Sequence, residues 1–202
     1  MSTQYTEEAK RPVVFLFPGQ GSQYVGMGAD LYQAEPTFRE RIDECAALLV
    51  GQIGLDIREI LYPTSDREAA AARLQRTSLT QPALFTIEYS LACLFMEWGI
   101  VPRAMVGHSI GEYVAACLAG VMTLPEALSV VAMRGRLMDS MPGGSMLAVP
   151  LPESALQPVL HAGVSLAAVN APAMSVLAGP AESIDALEKQ FAAQGLPCRK
   201  LH

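Results

Sequence analysis

The chain has 202 residues, 51% of them hydrophobic, enough for one sizeable core or two modest ones. Its 14 basic and 20 acidic side chains leave a net charge of -6, which argues against a nucleic-acid surface. No apolar run approaches the length of a membrane span and Met1–Lys10 has no signal-peptide pattern; residues 1–12 read instead as a polar, disordered tail.

Val13-Val14-Phe15-Leu16-Phe17 is a continuous apolar run with β-branched residues, the pattern of a strand buried in a parallel sheet. Pro18-Gly19-Gln20-Gly21-Ser22-Gln23 ends it in a glycine-rich loop, which is either a plain turn or, at the carboxyl end of a sheet strand, a ligand site. Asp30 to Val50 has helical periodicity, with Phe38, Ile42, Cys45, Leu48 and Leu49 on one stripe. Ile57, Ile60 and Leu61 make a short segment ended by Pro63, and Arg67 to Gln75 an alanine-rich helix with a solvated charged face. Thr80 is placed to cap the next helix, with Pro82 just inside it. That helix carries Leu84, Ile87, Leu91, Leu94, Phe95 and Trp98 toward the core and stops at Gly99.

Ala104-Met105-Val106 is a short apolar run, Glu112 to Gly120 is helix-like, and between them stands Gly107-His108-Ser109-Ile110-Gly111. A G-x-S-x-G pentapeptide between strand and helix makes a sharp turn that exposes the serine hydroxyl. The glycines let the backbone pass tightly on either side of a strained serine. The free N–H of Ile110 and the helix dipole favour negative charge beside Ser109, as a nucleophile requires. Adjacent residues on a turn point apart, so His108 is expected to pack or hydrogen-bond beside the elbow rather than activate Ser109.

Thr123-Leu124-Pro125-Glu126 has capping-box spacing and opens a helix carrying Leu128, Val131, Ala132 and Met138 up to Pro142-Gly143-Gly144. Arg134 and Arg136 lie on it; pattern alone does not separate a functional arginine from a snorkelling one. Ser145 to Val149 reads as a strand, Glu153 to His161 as a helix, and Val164 to Val169 and Ser175 to Ala178 as two strands around Asn170-Ala171-Pro172. Glu182 to Gln194 is a helix closed by Gly195, and Cys198 to Leu201 a last strand. This β-α-β-β-α-β order is ferredoxin-like and self-contained, which places a domain boundary at Gly143-Gly144: residues 13–143 against 144–202. Cys45, Cys93, Cys117 and Cys198 form no C-x-x-C pair and read as reduced thiols of a cytoplasmic protein. His108, His161 and His202 lack ligand spacing, so no metal site is expected.

Three motifs in order, Phe17-Pro18-Gly19-Gln20-Gly21-Ser22-Gln23, Gly107-His108-Ser109-Ile110-Gly111-Glu112 and Arg134-Gly135-Arg136, resemble the acyltransferase family. These are the malonyl-CoA:acyl carrier protein transacylases and the acyltransferase domains of polyketide and fatty acid synthases. The likeness runs from about Val13 to the last residue. Tyr24-Val25-Gly26-Met27-Gly28 and Glu112-Tyr113-Val114-Ala115-Ala116 look most like a modular polyketide synthase domain.

The resemblance implies an α/β fold: a large α/β-hydrolase-like domain, incomplete here, with an inserted ferredoxin-like α+β small domain. It implies Ser109 as the acyl-accepting nucleophile, the backbone N–H groups of Gln20 and Ile110 as the oxyanion hole, and Arg134 as the group that holds the free carboxylate of a malonyl unit. The acyl group would move from coenzyme A to the phosphopantetheine thiol of an acyl carrier protein, with no permanently bound cofactor. An aliphatic residue at Ile110 goes, in this family, with malonyl. Partners would be the carrier protein, the coenzyme A thioester and other synthase domains, with no nucleic acid and no membrane. Arg199 and Lys200 could meet the acidic carrier, or form a solvated strand end; Asn170 could face the cleft, or serve a turn.

The family's catalytic His lies on the segment returning from the small domain. His202 matches the residue just upstream of it, so the chain is expected to be a truncated form with little or no turnover. The alternatives are a serine hydrolase acting on a thioester or ester, and a non-catalytic synthase fragment.

Overall fold

The computed structural model describes residues 11–161 and 163–201; the expected disordered tail, over residues 1–10, and His202 lie outside them. The chain divides into two compact units with the break between Ser140 and Met141, three residues ahead of the Gly143-Gly144 boundary read from the sequence.

In the first unit, β1 (Val14–Phe17) pairs in parallel with β2 (Ala104–Gly107), with Val14 opposite Ala104 and Phe17 opposite Gly107. Between them in sequence lie α1 (Ala29–Ala34), α2 (Pro36–Ile53), α3 (Ile57–Leu61), α4 (Arg67–Leu74) and α5 (Thr77–Glu97); α6 (Gly111–Leu118) and α7 (Leu124–Asp139) follow β2. The stretch expected as one helix from Asp30 to Val50 is two. Pro36 opens α2, and a residue before proline is pushed out of the helical region, so Glu35 is extended at φ -109. α3 and α4 start where Asp56 and Asp66 accept backbone N–H groups with their carboxylates, and α7 where Thr123 and Glu126 close the expected capping box.

α5 is the axis of this unit and packs against α2 and α7. It begins at Thr77, earlier than Thr80 predicts. Thr80 is wholly buried inside the helix, and its hydroxyl donates to the carbonyls of Leu74 and Arg76, so it is no cap. Trp98, expected in the core, lies just past the last turn and is exposed. Phe85, Leu84, Leu49, Ile57, Leu61, Val114 and Leu128 are among the side chains of the continuous core around α5.

The strand at Val13–Phe17 is not buried on both faces as expected. Phe17 is buried and Phe15 partly so, but Val14 is 49% and Leu16 73% exposed. Side chains alternate across a strand, and the face holding Val14, Leu16, Ala104 and Val106 is covered by no described element. Parallel sheets normally need helices on both faces.

The second unit is a four-stranded antiparallel sheet of β3 (Ser145–Val149), β4 (Ser165–Ala171), β5 (Met174–Gly179) and β6 (Arg199–Leu201), in the order β4-β5-β3-β6, with helices α8 (Glu153–Leu156) and α9 (Ala181–Ala193). This is the expected ferredoxin-like arrangement. Leu147, Val149 and Leu177 meet Leu156, Ile184, Leu187 and Phe191 in its core. α8 is shorter than expected: it tightens into a 3-10 turn at Gln157–Val159, where Pro158 can donate no helical hydrogen bond. β4 runs on through Asn170, and the turn falls at Pro172-Ala173; Asn170 is an exposed strand residue, not a loop residue. Lys200 is ion-paired with Asp185, which leaves Arg199 as the exposed base of β6. Among the described residues no helix is long and apolar enough to cross a membrane.

Candidate active site

Ser109 has φ 54, and among the described residues it is the one non-glycine in the left-handed region. Such a backbone costs an L-residue on the order of 1–2 kcal/mol. The surroundings hold it there. His108 N–H donates to the Phe17 carbonyl at 2.9 Å, tying the elbow to the end of β1. Gly111 N–H and Glu112 N–H donate back to the carbonyls of His108 and Ser109, both at 3.1 Å, and start α6. The Glu112 carboxylate accepts the Gly107 N–H at 2.8 Å. Three glycines are required by space: a Cβ on Gly107 would lie 2.1 Å from Glu112 N, on Gly111 2.4 Å from the Phe17 carbonyl oxygen, and on Gly19 2.6 Å from His108 Nδ1. The His108 ring thus lies against Gly19 and, among the described residues, makes no hydrogen bond to the Ser109 hydroxyl.

α7 brings Arg134 to the elbow. Its Nη2 donates to Ser109 Oγ at 3.3 Å, and its guanidinium carbon stands 5.7 Å from the centre of the Tyr113 ring. The Arg134 Nη1 is buried with no hydrogen-bond partner. Arg136 is exposed and turned away, bonded to the Gln52 carbonyl at 3.5 Å. The structure therefore separates the two arginines that sequence pattern could not. Gly135 allows the placement: a Cβ there would lie 3.0 Å from the Thr77 carbonyl oxygen, so α7 sits directly on the start of α5. Asp139 then clamps the end of α7, accepting from Arg76 at 2.9 Å and Ser78 at 2.8 Å; these bonds hold its carboxyl below the usual range.

The Pro18–Gln23 loop is fastened to the same corner. Gln20 Nε2 reaches Thr77 Oγ1 at 3.4 Å, and Gln23 donates to Gln75 at 3.0 Å while its own oxygen accepts the Gly21 N–H at 2.7 Å. Gly21 has φ 116, which fits glycine. Among the described residues, neither Gln20 N–H nor Ile110 N–H donates to a backbone carbonyl. The Ile110 side chain is buried, so only its backbone faces the turn. Sequence reading missed Tyr113, Thr77 and the Glu112 anchor. For Glu112 a signal existed, since Ser109-x-x-Glu112 has capping-box spacing; for the others the contacts join distant parts of the chain.

Cys45 is buried and its thiol is pushed well up by burial; burial also raises Cys93 and Cys117, the latter to about 11. None is a ready nucleophile beside Ser109. Among the described residues no group of three or more His, Cys, Asp or Glu could hold a metal ion.

Residues 14–201 match the family model described as the acyl transferase domain. The chain belongs to the acyltransferase family. It is 43% identical over 189 residues to a phenolphthiocerol/phthiocerol polyketide synthase of Mycobacterium tuberculosis, covering 94% of this chain and 12% of that protein. Among solved structures it is similar to the acyltransferase domain of ZmaA, at 45% identity and TM-score 0.87, covering 96% of this chain and 47% of that one. It is likewise similar to the acyltransferase domain of SpnD in complex with 2-(pent-4-yn-1-yl)malonyl, at 43% identity and TM-score 0.83, covering 97% and 46%. The chain spans less than half of these solved acyltransferase domains and a small fraction of the mycobacterial synthase. Its hydrolase-like first unit and ferredoxin-like second unit follow the fold of those domains.

Proposed function

We propose that this chain carries the acyl-binding part of a malonyltransferase, moving a malonyl group from coenzyme A to the phosphopantetheine thiol of an acyl carrier protein. The observation that carries the reading is the pairing of Arg134 with Ser109: a guanidinium 3.3 Å from a strained hydroxyl, with its second nitrogen buried and unpartnered. A buried cationic donor without an acceptor is costly, and a substrate carboxylate supplies the acceptor. Arginine suits that end because its planar fork binds both oxygens and stays charged. A monocarboxylic acyl group would leave it unpaired, so the site selects dicarboxylic acyl units.

In the first half-reaction Ser109 Oγ attacks the thioester carbonyl, and the Gln20 and Ile110 N–H groups receive the developing oxyanion. One such donor is worth about 3 kcal/mol. The C–S bond breaks, coenzyme A leaves as the thiol with the serine proton, and malonyl-Ser109 remains. In the second, the carrier's thiol attacks the ester, the C–O bond breaks, and the proton returns to Ser109. Proton transfer needs a base, and Arg134 cannot be one because it stays protonated. We assign the base to polypeptide outside these residues. The preference for malonyl over bulkier extenders rests on the family pattern alone, in which an aliphatic residue at the position of Ile110 goes with malonyl.

Intact-mass measurement after exposure to malonyl-CoA tests the reading. Malonyl attachment is expected on the unaltered chain extended to the length of the solved domains. Ser109→Ala should abolish it, and Arg134→Ala should lower its rate by roughly 100-fold, the loss of a charge-assisted pair worth about 3 kcal/mol. Attachment that survives Ser109→Ala overturns the assignment; free malonate released without a carrier protein would favour the hydrolase.

A further inference from the structure

α4 ends at Leu74 and α5 starts at Thr77, so Gln75 and Arg76 alone join the two helices. Thr80 holds the join from within: its buried hydroxyl donates to the carbonyls of Leu74 and Arg76 at 2.5 and 3.0 Å. That bond fixes where the first turn of α5 begins. The side chains of Gln75, Arg76, Thr77 and Ser78 all make hydrogen bonds, each to a residue between 52 and 63 positions away.

Two of the four hold the Pro18–Gln23 loop. Gln75 Oε1 accepts from Gln23, Thr77 Oγ1 accepts from Gln20, and Gln23 passes the constraint on through its own oxygen to the Gly21 N–H. The other two hold α7. Arg76 Nη2 and Ser78 Oγ donate to one and the same oxygen of Asp139, its Oδ2. Asp139 is the last residue of α7 and sits at the negative end of the helix dipole, an unfavourable place for a carboxylate that its two donors offset. Arg134 lies five residues back on the same helix, and Gly135 beside it rests on Thr77 and Ser78. The direction of the Arg134 side chain is thus set by how the end of α7 is pinned to the start of α5.

We propose that Asp139 is a positioning residue for Arg134 and, through it, sets the selectivity of the site for dicarboxylic acyl groups. The inference rests on the roles proposed above for Ser109 and Arg134. Asp139 touches neither the serine nor the acyl group; it acts by holding the helix that aims the guanidinium. The two kinds of fastening on the Gln75–Ser78 turn differ in what they serve. Every acyl thioester develops an oxyanion, so the loop side serves all substrates alike. Only a dicarboxylic acyl group uses the planar fork of Arg134, so the α7 side serves that class alone. A misdirected guanidinium loses the second carboxylate and leaves the attack on the thioester unchanged.

The test follows attachment to the polypeptide extended to the length of the solved domains by intact mass, with malonyl-CoA and acetyl-CoA in parallel. Asp139→Ala should slow malonyl attachment about tenfold and acetyl attachment less than about twofold, so that the malonyl-to-acetyl ratio falls. Asp139→Asn keeps one oxygen able to accept both donors and should restore most of the ratio; Ser78→Ala, which removes one donor of the two, should lower it by less than Asp139→Ala. Gln75→Ala loosens the same turn from the loop side and should slow both substrates alike, leaving the ratio where it was. A ratio that falls as far in Gln75→Ala as in Asp139→Ala would show general loosening of the turn and overturns the proposal. So does an unchanged ratio in Asp139→Ala while Arg134→Ala collapses it. An unchanged ratio in Arg134→Ala itself would bring down the reading of the arginine, and the role of Asp139 with it.

Discussion

In the second unit, Leu147, Val149 and Leu177 of a four-stranded sheet are wholly or almost wholly buried against two helices, all drawn from about sixty consecutive residues. In the first unit, twice as long, the sheet has two strands and leaves Leu16 73% exposed. The two sheets also differ in kind. Antiparallel strands close with short turns such as Pro172-Ala173, and one face can stay wet. Parallel strands need long crossovers: α1 to α5 all lie between β1 and β2. A parallel sheet therefore consumes far more chain before its second face is covered.

Opposite substitutions in the two sheets should give the largest contrast. Leu147→Ala is expected to cost the second unit roughly 3 kcal/mol, because it empties a fully packed site. Leu16→Ala on the bare face should change stability by less than about 0.5 kcal/mol. Denaturant titrations of each variant, with exchange mass spectrometry to separate the units, check this. Similar losses at both positions would mean that the Leu16 face is covered.

A pH series sharpens the contrast at Glu88 of α5, which is 7% exposed and whose carboxylate oxygens have no hydrogen-bond partner among the described residues. Glu88 holds its proton up to about 8 when folded and to roughly 4.3 when unfolded. Between those values the unfolded chain binds fewer protons, so stability falls as pH rises and then levels above about 8. The depressed carboxyls, Asp56 beside Arg58, Asp139 beside Ser78 and Arg76, and Glu126 at the Thr123 cap, act in the opposite sense and at lower pH, below about 4.5. Melting temperatures of the 202-residue chain from about pH 5 to 8 should decline, and Glu88→Gln should flatten the decline. A flat profile in the unaltered chain would mean that Glu88 already has its donor.

The smallest effect concerns the elbow itself. Ser109→Gly relieves the backbone at φ 54 but adds unfolded-state entropy, so a net gain near about 0.5 kcal/mol is expected, together with loss of acyl attachment. A loss of stability would show that the hydroxyl bond to Arg134 outweighs the strain.

What could be read along the chain was what short stretches impose on themselves. The strand–elbow–helix at Ser109 follows from two glycines and their flanks, the start of α7 from Thr123 and Glu126, and the ferredoxin-like order from alternating patterns and turn residues. Local reading failed where two local signals competed, as at Pro36 inside a helical stripe and at Thr80, a residue suited to a cap that is buried in mid-helix. Only the tertiary structure chose Arg134 over Arg136, since two residues on one helix differ by direction and Gly135 sets that direction by its contact with Thr77. Only it exposed Leu16 and left Glu88 without a partner. Periodicity states that a face is apolar or a group polar; what arrives to cover the face or bond the group is decided by chain far away in sequence.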